Sequence, residues 1–187
     1  MRSLLLGAFL AALVLFVWGF VVWALMPVDP FTRIADEAAV SAALLEQLPA
    51  TGYYLLPGDD SDMDAYVARH REGPLALITF RREGADPFAA SGFVLGFLHM
   101  LVSMLLLGLV LRAAVPRLHT YGARVTFVAF VGLLVGVWAH LGEPIWWHQP
   151  WSLPLLTAAH DVIGFALAGL VLARFVRPEP AMAEMLA

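Results

Sequence analysis

Residues 3–26 read SLLLGAFLAALVLFVWGFVVWALM. No charged side chain interrupts the run. As an α-helix it is about 36 Å long at 1.5 Å per residue, against about 30 Å for the hydrocarbon core of a bilayer. Three further stretches are apolar over a similar length, with Arg124, Asp161 and Arg174 as the charged residues inside them: Phe88–Leu111, Tyr121–Leu141 and Leu153–Phe175. The composition agrees. The chain has 187 residues, 61% hydrophobic and 14% charged, with a mean hydropathy of +0.80, whereas soluble domains are about half apolar and a quarter charged. The expected fold is an all-α membrane protein with four transmembrane helices.

The same numbers exclude intrinsic disorder. A net charge of −4 gives no electrostatic case for nucleic acid. All eleven basic residues are Arg, and there is no cysteine. Disulfides, thiolate metal sites and Cys nucleophiles are therefore excluded. The first apolar run is longer than the core of a signal peptide, and Trp23-Ala24-Leu25-Met26-Pro27 lacks a small-x-small cleavage signature. It is read as a retained anchor.

Arginine near span ends sets orientation. Arg2, Arg112, Arg117, Arg124, Arg174 and Arg177 all fall on one side of the expected layout. The link between spans three and four carries only Glu143 as a charged residue. The prediction is a bacterial inner-membrane protein with both termini cytoplasmic. Its parts are helix 1 (1–26), a periplasmic insertion (27–87), helix 2 (88–111), a cytoplasmic loop (112–120), helix 3 (121–141), a periplasmic Trp-rich loop (142–152), helix 4 (153–175) and a cytoplasmic tail (176–187).

The insertion holds five Arg and eleven acidic residues, a net charge of −6. It is a small α+β unit in the order helix, strand, helix, strand. The first helix follows Asp36-Glu37, with Val40, Leu44, Leu45 and Leu48 on one face. Tyr53–Leu56 is a strand. The second helix runs from Asp62 to Arg71, with Ser61 as its N-cap and Gly73 as its stop. Leu75–Phe80 is the second strand. Two strands are marginal alone, so the span ends or a partner should support them. Asp59, Asp60, Asp62 and Asp64 suggest calcium, but the closing Glu of an EF-hand loop is missing. A solvated turn is the better reading.

Helices in lipid associate through small residues. Gly92 and Gly96, Gly132 and Gly136, and Gly164 and Ala168 form such stripes on spans two, three and four. Those three spans are expected to form one antiparallel bundle, with span one as an outlier or fourth member. Trp146, Trp147 and Trp151 suit the headgroup zone.

Ionisable groups at membrane depth are functional hypotheses by default. Asp161 is the single carboxylate inside a span. Adjacent side chains diverge on a helix, so it should avoid His160 and bond Trp138, Tyr121 or a backbone group. It is read as a protonated hydrogen-bonding clamp, with a proton or substrate path as the alternative. His99 and His160, at comparable depths, are a candidate haem b pair. His140, Glu143 and His148 are a candidate divalent-metal set. No nucleophile constellation, phosphate loop or H-E-x-x-H motif occurs.

Several segments together resemble a family of small four-span bacterial inner-membrane proteins to which no activity is assigned. They are Phe16-Val17-Trp18-Gly19, Asp36-Glu37-Ala38-Ala39-Val40, Gly52-Tyr53-Tyr54-Leu55-Leu56-Pro57-Gly58, Gly73-Pro74, Tyr121-Gly122-Ala123-Arg124-Val125, His140-Leu141, Trp146-Trp147, and Asp161 with Gly164 and Ala168-Gly169-Leu170. The resemblance covers most of the chain. It includes His140 and Asp161 but not His99 or His160, and it implies no cofactor and no catalytic residue. The expectation is a non-catalytic accessory or scaffold subunit, in contact with lipid and with protein partners or further copies of itself. The alternatives are a haem- or metal-binding redox protein and a small oligomeric transporter with Asp161 in its path.

Overall fold

The computed structural model describes residues 1–58 and 61–178. The described chain is mostly helical and divides into two compact units, one of Met1–Pro30 with Phe88–Ala187, the other of Phe31–Pro87. The first contains four helical segments long and apolar enough to cross a membrane: Arg2–Leu25, Ala90–Arg117, Tyr121–Trp146 and Ser152–Phe175.

Helix α1 (Arg2–Phe20) continues as one π-helical turn, Val21–Leu25. In the second unit, α2 (Glu37–Gln47), β1 (Gly52–Leu56), α3 (Met63–Glu72) and β2 (Ala76–Phe80) follow in the expected order. The bundle then resumes with α4 (Ala90–Ala114), α5 (Tyr121–His140), the short α6 (Gly142–Trp146) and α7 (Ser152–Phe175).

Helix α1 packs along both α4 and α7, and α7 packs along α5, whereas α4 and α5 scarcely touch. The expected arrangement is thereby corrected: α1 is central and α4 is the flank. The reason lies in Gly7, Ala8, Ala11 and Ala12, all buried on α1. Small residues let backbones approach, and this run carries four of them, against two in each of the stripes on the other spans. Leu4, Met104, Leu107, Leu111, Val128, Ala168 and Leu172 fill the core between the helices.

The stripes behave differently from one another. A methyl group at Gly132 would fall inside the Phe165 side chain, and one at Gly136 would lie 3.0 Å from the Ala158 carbonyl oxygen. Gly164 faces Leu15 and Trp18, and Ala168 is fully buried. Gly92 and Gly96 have nothing within 4 Å of an added methyl.

The ends of the spans also differ from expectation. Helix α4 starts after Phe88 and runs through Leu111 into a 3-10 turn at Val115–Arg117. Helix α5 ends at His140 with Leu141 as its C-cap, and Gly142–Trp146 follows as a separate short helix. Pro144 is tolerated there because it sits in the first turn, where an N–H has no intrahelical partner.

At one end of the bundle α7 gathers polar side chains from α5. Arg124 is 5% exposed and donates from Nε to the Ala173 carbonyl at 3.2 Å. Its Nη1 donates to the Leu118 and His119 carbonyls, each at 3.1 Å. The Tyr121 hydroxyl donates to the Leu170 carbonyl at 2.8 Å. Arg112 reaches the Met1 sulfur, and Ser3 donates to the Phe175 carbonyl.

In the second unit, β1 and β2 pair antiparallel, with Tyr54 opposite Ile78. Asp36 caps α2 through the Ala39 amide. Asp62, and not Ser61, caps α3, accepting from the Asp64 and Ala65 amides; its carboxylate sits one residue nearer the first turn. Gly73 ends α3 at φ 73°, in the left-handed region that favours glycine. The proposed apolar face of α2 is largely open: Leu48 is buried, while Val40 and Leu45 are exposed. Arg82 closes that helix, donating to the Leu45 and Leu48 carbonyls at 2.9 and 3.0 Å. Asp59 and Asp60 lie outside the described residues.

Candidate functional site

At the end of the bundle opposite Arg124, α5 closes on His140 and α7 carries His160 and Asp161 in its third turn. The Asp161 carboxylate holds two imidazoles: His140 Nε2 lies 2.9 Å from Oδ2, and His160 Nδ1 lies 3.0 Å from Oδ1. His140, on α5, is thus tied to α7. The expectation that Asp161 and His160 diverge is corrected. Their Cβ directions do diverge, but the imidazole is long enough to bring Nδ1 back to the neighbouring carboxylate. Trp138 and Tyr121 are not its partners. Trp138 is 84% exposed, and the Tyr121 hydroxyl is bonded to Leu170.

Helix α1 completes the cluster. Trp18 Nε1 donates to the His160 carbonyl at 3.0 Å, and its ring stacks on the His160 ring at 6.1 Å between centroids. Trp23 packs against the same imidazole at 5.9 Å. In a regular α-helix, positions five apart point about 140° away from each other. The π turn, closed by the Met26 amide on the Val21 carbonyl, brings Trp23 round to the side of Trp18. Neither Trp was singled out from sequence, because their spacing fits no α-helical face.

Were Asp161 ionised, it would only accept hydrogen bonds and would take the N–H of both imidazoles. In that state His160 carries its proton on Nδ1 and presents Nε2 as an acceptor. That atom is buried and has no hydrogen-bond partner. His160 and Asp161 line a cavity of about 310 Å³ together with His99, Met100, Ser103 and Met104 of α4. The candidate haem pair, His99 and His160, therefore borders one cavity.

The candidate metal set is distributed otherwise. His140 is bonded to Asp161, whereas Glu143 accepts from Gln149 Nε2 at 2.8 Å. His148 has a positive φ of 55° in the turn after α6. Among the described residues no group of three or more His, Asp or Glu side chains is placed to hold a metal ion. Trp146, Trp147 and Trp151 are all at least half exposed.

Compared with protein-family models, with curated proteins and with solved structures, the chain matches none.

Proposed function

We propose that the chain is a multi-pass protein of the bacterial inner membrane that serves as a non-catalytic accessory subunit of a larger membrane assembly. Both termini are cytoplasmic in this reading, and the 27–87 insertion is periplasmic. One observation carries it. The polar side chains that reach from one spanning helix to another are spent on holding helices together: Trp18, Tyr121, Arg124 and His140 all bond to α7. Such a bundle is a rigid framework, and rigidity is what a subunit needs to present a fixed surface to its neighbours. The orientation rests on the six arginines near the span ends.

Purification from native membranes in mild detergent tests the role. A stoichiometric partner of different sequence is expected to co-elute. A chain that elutes alone and monodisperse under every gentle condition would refute the accessory role. The absence of cysteine makes orientation simple to test. A membrane-impermeant thiol reagent should label Thr32→Cys in intact spheroplasts and His119→Cys only after lysis; the reverse pattern inverts the topology.

A further inference from the structure

We propose that the cavity between α4 and α7 is a copper(I) site, with His160 Nε2 and the thioethers of Met100 and Met104 as ligands. Three features of the chain converge on it. His160 Nε2 is a buried acceptor without a donor, and a buried polar atom left unpaired is costly. A Lewis acid bound there removes that cost. Asp161 holds the other ring nitrogen at 3.0 Å. A carboxylate on the far nitrogen is the usual outer-shell partner of a metal-bound histidine, fixing its tautomer and raising its basicity.

The third feature is the approach of a methionine side-chain end. A point beside Gly19, where a Cβ would stand, lies 3.9 Å from the Met100 methyl carbon and 4.0 Å from His160 Nε2. The end of the Met100 side chain and the unpartnered nitrogen therefore both approach that point, and both residues line the cavity. Met104 is fully buried, one turn along the same face of α4, and lines the same cavity. Thioether donors select copper(I) over zinc, calcium and magnesium, whose sites draw on imidazole, thiolate or oxygen. The carboxylate of Asp161 is already shared by two imidazoles. A cavity of about 310 Å³ is at the small end for organic ligands, and an ion fits it more readily than a macrocycle.

The test is a titration of the purified full chain in detergent with copper(I) under reducing conditions, against a chromophoric copper(I) chelator. One tightly held ion per chain is expected, with sulfur and nitrogen scatterers in its X-ray absorption spectrum. Met100→Leu combined with Met104→Leu keeps side-chain volume and should weaken binding at least about 100-fold, with helicity and elution volume unchanged. Asp161→Asn leaves the ligands in place and should weaken binding about 10- to 100-fold. Stoichiometric binding that survives the double Met variant, a spectrum without sulfur, equal retention of zinc(II), or no stoichiometric copper(I) would each overturn the assignment.

Discussion

Replacing Asp161 by alanine removes the acceptor of two hydrogen bonds at once, from His140 at 2.9 Å and from His160 at 3.0 Å. Side-chain hydrogen bonds inside membrane proteins contribute about 0.6 kcal/mol on average and about 1.7 at most. Two of them put the loss at about 1–3 kcal/mol. The lower half of that range suits side chains that are 26% and 17% exposed for the two histidines and 27% for Asp161. Asparagine keeps one acceptor and gains two donors. It retains both contacts if one imidazole reverses its tautomer, so Asp161→Asn should cost less than about 1 kcal/mol. Reversible unfolding in mixed micelles, driven by added SDS, measures both variants. A double-mutant cycle of Asp161→Ala with His140→Ala isolates the bond between α5 and α7, with an expected coupling of about 0.5–1.5 kcal/mol. Coupling indistinguishable from zero, or an Asn variant as unstable as the Ala variant, would refute the clamp.

Gly132→Ala should destabilise the bundle by about 1–3 kcal/mol, because its methyl would enter the Phe165 side chain. Gly96→Ala meets nothing within 4 Å and should be neutral or slightly stabilising; equal effects of the two in the same unfolding assay would contradict the packing described for α5 and α7. Arg124→Leu strips donors from three backbone carbonyls and should cost about 2 kcal/mol. Arg124→Lys should not restore it, since a single ammonium lacks the guanidinium fork, and full recovery by Lys would argue against the geometry. In the second unit, the Thr51 hydroxyl donates to Glu83 at 2.7 Å and is the chief reason that the Glu83 carboxyl titrates below its ordinary range. Its stabilising contribution is present above that ordinary range and is lost as pH falls through the lowered folded value. Thr51→Val should raise the Glu83 midpoint in a carboxyl-carbon NMR titration, and an unmoved midpoint would refute the assignment.

The spans were legible in sequence because an uninterrupted apolar run of membrane length has few other solutions. The order of elements in the second unit was legible from turn residues such as Gly52 and Gly73. Neighbour relations were not. Every spanning helix is apolar all round, so periodicity cannot say which face meets which helix. The small-residue stripes on the other spans draw the eye first, and the Gly7, Ala8, Ala11 and Ala12 run hides the central place of α1 because it looks like ordinary apolar filling. At the candidate site, Asp161 stood out because a carboxylate inside a span is costly, and His140 and His160 were noted as separate features. Their union through one carboxylate depends on how α5 and α7 are aligned, which the sequence does not encode locally. Trp18 and Trp23 were invisible because a π turn breaks the 3.6-residue period at that point.

The neighbour relations of α7 have a consequence for biosynthesis. Apart from the adjoining α6 and a few contacts with α4, α5 leans on α7 alone. While the ribosome is still translating, α1 and α4 can pair as soon as both have left the translocon, but α5 has no such companion. It must wait in lipid, with the Arg124 Nε–H and the His140 ring short of their recipients on α7, until α7 is released. Assembly of the described bundle is therefore gated by the arrival of α7, and a pause before Ser152 would strand a half-built bundle that quality-control proteases can recognise.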